Sequence, residues 1–389
     1  MALYHSLAKL LRADLRRRTV GCLSVLVLAG ALVDCGGSSS PTPPCTNCTP
    51  SSFDFVYQAN ANQVSGFEVE SRSGTVQTTL SPATSAVIPG GIIVTAGDYL
   101  YVTEAEGSGG VVFGYSVNSS TGALTALPGS PFSTGVAQPA QGMAADPAGH
   151  FLYVTVPNTN QVAAFTIGAN GALPAITGSP FGTNDTRPVA AAVDSSGKLL
   201  FVSNQDSASG SISVFSIDSA TGVPKQVAGS PFATLPNGGP ASLTVDPKAS
   251  RLYVPMLNAG VVLGFSFDSS GAPTPLSGSP YAVVSQPNSV TIDPSEKFLF
   301  SADFSGDVSS FTIDPSTGAL TAVAGSPFPV SENPFQVAVN ASASLLIVSC
   351  ANESTIPAFT IDSAGVLTTA APLDGGGTSG GVAIVHKSS

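Results

Sequence analysis

Tryptophan is missing from this chain, histidine occurs three times, cysteine five times, and only 10% of the 389 residues are charged. Each shortage excludes something. The lack of tryptophan weakens the case for a large aromatic platform of the kind that stacks on sugars. Beyond the N-terminal segment the histidines are His150 and His386, far apart in the chain, so neither a histidine triad nor a histidine metal cluster is expected. No Gly-rich phosphate loop precedes a helix and no EF-hand-type acidic loop occurs, so no metal and no cofactor is expected. Lys, Glu and Arg become scarce after residue 18, which argues against a helical protein. What is present instead is 41 Gly, 31 Pro and 43% apolar residues, the mark of a turn-rich β protein with a real core.

Charge narrows the partners. Residues 1–34 carry Lys9, Arg12, Arg16, Arg17 and Arg18 against Asp14 and Asp34; without them 8 basic and 22 acidic residues remain, a net charge of −14. Nucleic-acid binding draws its affinity from Lys and Arg that neutralise phosphates, so it is not expected here.

The basic residues 9–18 precede an apolar run from Val20 to Val33, too short for a mature membrane helix and ordered like an export signal. The run ends in Leu32-Val33-Asp34-Cys35, which resembles the lipobox of bacterial lipoproteins, although Asp34 stands where a small residue is usual. Two outcomes stay open: lipidation of Cys35, with a membrane partner through that anchor, or ordinary cleavage and release. Both place the domain outside the cytoplasm. Residues 35–52 then read as lipidation site and Ser/Thr/Pro-rich tether. Within the tether, Cys45 and Cys48 have redox or zinc spacing without the helix start or further ligands those uses need, so they read as a local disulfide. Cys350 reads as a buried thiol.

From residue 53 onward the chain repeats. Gly-Ser-Pro followed by an aromatic recurs at 129–132, 178–181, 229–232, 278–281 and 325–328. A second marker, an aromatic in a short alternating stretch, falls at Phe67, Tyr115, Phe165, Phe215, Phe265, Phe311 and Phe359. Seven markers at this period predict an all-β, seven-bladed β-propeller with four antiparallel strands per blade, such as Val189 to Asp194, Leu199 to Ser203, Ser211 to Ile217 and Val223 to Ala228. First strands rich in small residues, as in Ala190-Ala191-Ala192, suit the crowded axis. Second strands end in motifs around Tyr57, Tyr101, Tyr153, Phe201, Tyr253, Phe300 and Ile347, read as packing between sheets. In Gly-Ser-Pro-Phe, Pro is expected to end pairing at the outer edge and the aromatic to plug the gap between blades.

The first unit begins with its second strand, at Phe53. Counting the repeat interval from Phe359 lands on Val385, so the stretch 381–385 should pair with the N-terminal blade and close the ring, which would remove two exposed sheet edges. A closed ring of this kind is expected to be a monomer.

With those strands in place, the chain resembles the lactonase-like and YVTN-repeat seven-bladed propellers, the 6-phosphogluconolactonase-like fold. The matching segments are Asp146-Pro147-Ala148-Gly149 before Leu152-Tyr153-Val154, Asp246-Pro247 before Leu252-Tyr253-Val254, and Asp293-Pro294 before Phe298-Leu299-Phe300. The resemblance covers about residues 53–389 and speaks for fold more than for activity. It implies His and Arg just ahead of the innermost strands; here only Arg187-Pro188 keeps a cation, beside Gln138-Pro139, Gly239-Pro240, Gln286-Pro287 and Asn333-Pro334.

Turns between first and second and between third and fourth strands are stereotyped, whereas the other connections vary in length and charge and share the opposite face. Variable loops on a rigid scaffold suit binding of a protein or small-molecule ligand. That face would gather Glu104, Asn158, Arg187, Asn204, Asp206, Asn258, Asp303, Glu332, Asn352 and Glu353. Asn and Asp often only stabilise turns, and the ligand-binding candidates are Asn158, Asn204, Asp206, Asn258 and Asn352. Glu104, Asp303 and Arg187 are the catalytic candidates. The primary expectation is a binding or scaffolding module of the cell envelope. The alternative is a hydrolase of a non-phosphorylated lactone or related ester, with Glu104 or Asp303 as base and Arg187 stabilising the oxyanion.

Overall fold

Alternation of apolar and small polar residues in runs of six to eight builds strands whose two faces are both buried, because each sheet packs against a sheet on either side. The computed structural model describes residues 52–389 apart from 85–88, 106–108, 206–209, 285, 331–332, 352, 354, 376–378 and 388–389. Its strands form seven antiparallel blades. Blade 4 is representative: Pro188–Val193 innermost, then Leu199–Asn204, Ser211–Ile217 and the outer Pro224–Gln226, close to the runs expected from the repeat.

All seven aromatic markers sit in third strands, and each lies opposite an aliphatic residue of the second: Val56–Phe67, Leu100–Tyr115, Leu152–Phe165, Leu200–Phe215, Leu252–Phe265, Leu299–Phe311 and Leu346–Phe359. The core is correspondingly divided into seven clusters, each shared by two neighbouring blades, the last joining Val56 and Phe67 to Ile347 and Leu373. The tyrosines of the second strands do more than pack. Mid-strand rather than terminal, Tyr57, Tyr101, Tyr153 and Tyr253 send their hydroxyls across the gap to the carbonyls of Gly122, Gly171, Gly222 and Gly318 in the next blade, at 2.7–2.8 Å. Burial pushes all four phenols well above their ordinary range.

The ring closes as its repeat interval requires. Ser379–His386 pairs antiparallel with Phe53–Asn60, with Tyr57 opposite Ala383, and supplies the innermost strand of blade 1. Beyond the ladder, His386 Nδ1 lies 3.0 Å from the buried Asp54 carboxylate and Lys387 Nζ 2.7 Å from Glu68.

The Gly-Ser-Pro-aromatic segments depart from expectation in one respect. Proline interrupts the outer edge but does not end it: after a cis Ser–Pro bond the aromatic pairs again with the third strand, Phe132 opposite Val112 and Phe232 opposite Ile212. The serine bridges the interruption by accepting a third-strand N–H, as Ser130 does from Gly114 and Ser230 from Val214, both at 2.9 Å. The aromatics do fill gaps between blades, Phe132 against the cluster of blades 2 and 3 and Phe232 against that of blades 4 and 5.

Around the axis, blades 2 to 4 approach through glycine; a Cβ on Gly142 would lie 2.6 Å from Ala190 Cα. Blades 5 to 7 and 1 are stitched by side chains instead. Ser242 accepts the Val290 N–H, Ser289 that of Val337, and Gln336 Oε1 that of Val382.

Candidate functional site

Second strands run toward the variable face, and the last residue of each is the first that can contribute to it. Glu104 ends Tyr99–Glu104 in blade 2 and is half-buried, its backbone carbonyl accepting the Ala140 N–H. Asn158 lies in the single 3-10 turn Pro157–Thr159 of blade 3, exposed, its amide 3.1 Å from Gln138 Oε1. Asn258 is exposed in the blade 5 hairpin and Glu353 half-buried after blade 7's second strand. Asp206, Glu332 and Asn352 lie outside the described residues, as do Cys35, Cys45 and Cys48.

Asn204 and Asp303 also end second strands, but alternation turns both into gaps between blades. Asn204 is wholly buried and donates to Ser211 Oγ at 2.9 Å and Ser213 Oγ at 2.8 Å. Asp303, equally buried, accepts from Ser301 Oγ at 2.7 Å and Ser309 Oγ at 2.5 Å. Burial pushes its carboxyl up to about 7, the serine hydrogen bonds opposing the shift and Asp307 adding to it. Neither side chain offers surface to a ligand in this arrangement.

Arg187 is exposed and held with a left-handed backbone, φ +59°, ahead of the innermost strand of blade 4. A residue before proline is normally extended. Two hydrogen bonds hold it otherwise: its N–H donates to Asn160 Oδ1 at 3.0 Å and its carbonyl accepts from Gln205 N at 2.9 Å. The same conformation recurs before the innermost strands of blades 6 and 7, at Gln286 (φ +41°) and Asn333 (φ +60°), whose carbonyls accept from Phe304 and Ala351. Left-handed non-glycine residues gather where a site imposes geometry. The repeating X–Pro was visible in the sequence, but its left-handed backbone was not, because the local rule predicts the opposite.

Glu104, Arg187 and Asp303 belong to blades 2, 4 and 6, and no hydrogen bond or ion pair joins any two of them. Among the described residues no group of three or more His, Cys, Asp or Glu could hold a metal ion. Arg187 is also the one described Lys or Arg in a variable connection. Lys198, Lys248, Arg251 and Lys297 sit at the stereotyped turns, where Lys248 pairs with Glu296 at 2.8 Å and Arg251 donates to the Pro315 carbonyl at 2.6 Å. A shallow cleft of about 480 Å³ lined by Ser216, Ile217, Asp218, Thr221, Val223 and Lys225 lies at such a turn of blade 4, apart from the candidates.

Residues 129–237 match the family model for "Lactonase, 7-bladed beta-propeller". No curated protein matches the chain at a significant level. Among solved structures, a protein of Bacteroides uniformis described as a candidate 6-phosphogluconolactonase has a TM-score of 0.76 at 16% identity, covering 86% of this chain and 100% of its own. A similarly described protein of Bacteroides fragilis has 0.72 at 19%, over 87% and 99%. The periplasmic gluconolactonase of Pseudomonas aeruginosa has 0.75 at 16%, over 87% and 100%. At such identities the likeness carries the fold and leaves the chemistry to the residues.

Proposed function

Taking the chain as a lactonase-like seven-bladed propeller, we propose that it is an exported ligand-binding module of the cell envelope, held by lipid on Cys35, that receives its ligand on the variable face. The observation that carries this reading is the dispersal of ionisable groups there: Glu104 and Arg187 stand two blades apart and Asp303 is sealed between sheets. Acid–base catalysis needs such groups within hydrogen-bonding reach of one another or of one substrate atom. Binding does not. Exposed Asn158, Asn258 and Gln286 with the single cation Arg187 suit a neutral or singly anionic polar ligand, whereas a phosphorylated one calls for clustered Arg or Lys.

A second reading is supported by the lactonase family match and the gluconolactonase neighbour: hydrolysis of a non-phosphorylated lactone, with Glu104 activating water and Arg187 stabilising the oxyanion. One experiment separates the two. Purified residues 53–389 are assayed for turnover and for equilibrium binding of glucono-δ-lactone and other unphosphorylated lactones, alongside Glu104→Gln and Arg187→Ala. The binding reading expects saturable binding, weakened at least several-fold by Arg187→Ala, without turnover. Turnover lost in both variants would replace it with the hydrolase.

A further inference from the structure

The end of the second strand is one position seen seven times, and blades 1, 4 and 6 fill it with buried side chains of one shape. In blade 1 it is Asn60, which donates to Ser65 Oγ at 2.8 Å; in blade 4 it is Asn204, which donates to Ser213 Oγ at 2.8 Å. Blade 6 keeps the partner serine, Ser309, at the same register, opposite Ser301 as Ser65 is opposite Gln58 and Ser213 opposite Val202. It replaces the amide by the carboxyl of Asp303. Blades 1 and 4 thus show that a neutral group of this shape satisfies the site; of the two blades with a carboxyl there, blade 2 leaves Glu104 half-buried, whereas blade 6 buries Asp303 completely.

We infer that Asp303 is a proton-operated latch at the variable-face end of the gap between blades 5 and 6: as the neutral acid it seals the blade 6 hairpin, and as the carboxylate it loosens that hairpin and the connections tied to it. The groups around it give ionisation little compensation. On its own strand Leu299 and Ser301 share its side, and the hairpin adds Asp307, a second negative charge. Blade 5 packs Tyr253, Val262 and Tyr281 into the gap, and both phenols are committed elsewhere, to Gly318 O and Ser277 O. No Lys, Arg or His among the described residues pairs with Asp303. A buried carboxylate held by two hydroxyls and no cation is costly compared with the neutral acid.

The latch has connections to move. The next residue, Phe304, donates its N–H to the carbonyl of left-handed Gln286 at 3.0 Å, and the hairpin's Gly306 accepts from Val330 at 2.8 Å. Loosening the hairpin therefore reaches both the entry to blade 6's innermost strand and the connection to blade 7. This regulation stands on the fold and not on the identity of any ligand.

Native Asp303 holds its proton to about pH 7 while the unfolded chain releases it near the ordinary 3.8, so its contribution falls as pH rises through that window and then levels off. Thermal unfolding and amide exchange of residues 304–307 and 328–330 are followed from about pH 5 to about pH 8 for the wild type, Asp303→Asn and Ser309→Ala. Asp303→Asn should melt several degrees higher than wild type at the alkaline end, with the gap closing toward the acidic end, and its hairpin exchange should lose the alkaline loosening. Ser309→Ala removes a donor to the carboxylate and should move the wild-type transition to higher pH, a readout that survives if Asp303→Asn does not fold. Parallel melting curves for wild type and Asp303→Asn, or an unmoved transition in Ser309→Ala, would overturn the latch.

Discussion

The two faces of the ring are built from the same blades but by different rules. On the stereotyped face, one acceptor closes the turns of blades 3, 4 and 7 in the same way: Asp146 takes the N–H groups of His150 and Phe151, Asp194 those of Lys198 and Leu199, and Asn340 those of Ser344 and Leu345. The adjoining third-to-fourth turns present a left-handed glycine to the second strand of the preceding blade, Gly222 against Phe151 and Gly318 against Arg251. Hydrogen bonds there also cross from blade to blade. On the variable face each hairpin has its own sequence; left-handed Arg187, Gln286 and Asn333 share one bond, each carbonyl accepting from the residue that follows its blade's second strand, and Arg187 adds a bond of its own to Asn160. Bonds that cross from blade to blade mark the face that holds the ring together; hairpins of differing sequence mark the face free to specialise.

The broadest way to break this comparison is to open the ring that supports both faces. Removing residues 379–389 leaves the strand Phe53–Asn60 without its inner partner and uncovers the cluster shared by blades 7 and 1. The truncated domain should lose its cooperative melt altogether, and a soluble truncation that still melts cooperatively would contradict closure by the C-terminal strand.

A smaller intervention contrasts the faces directly. Gly222 has φ +72° and a Cβ there would meet Phe151 Cδ1 at 2.4 Å, whereas Gly260, in the blade 5 hairpin, has φ +66° and nothing within 4 Å. Gly260→Ala should cost about 1–2 kcal/mol for the left-handed backbone alone. Gly222→Ala adds a steric clash with a buried ring and should cost about 3 kcal/mol or more. Equal losses in denaturant unfolding would erase the distinction.

Smaller again is the inter-blade hydrogen bond. Tyr153→Phe removes the donor to Gly222 O and should cost roughly 1–2 kcal/mol. Phe201 already occupies the corresponding position in blade 4, so the variant should keep its fold, and an unchanged midpoint would show that these hydroxyls do not strengthen the ring.

Much of this was legible because a repeat reports on itself. Seven aromatic markers gave seven blades, and one interval placed the closing strand within residues 379–386. The renewed pairing after Gly-Ser-Pro was not legible, since proline's missing N–H reads as a stop and nothing local announces that Phe132 will rejoin Val112. Asp303 was half legible. Its place at a strand end suggested the open face, yet both faces of this strand are buried between sheets, and Asp303 is covered like Asn60 and Asn204 at the same position. Glu104 and Arg187 could be placed on the variable side, but whether they met depended on the ring's three-dimensional spacing.

The central claim, that the variable face meets the ligand while the stereotyped face holds the ring, is tested most directly by site-specific photo-crosslinking of the full chain in cells that express it. A photoreactive residue is placed in turn at 158, 187 and 258 on one face and at 148, 198 and 250 on the other. The account predicts saturable, competable adducts from the first three positions and none from the second. Adducts from both faces alike, or from the stereotyped turns alone, would contradict it.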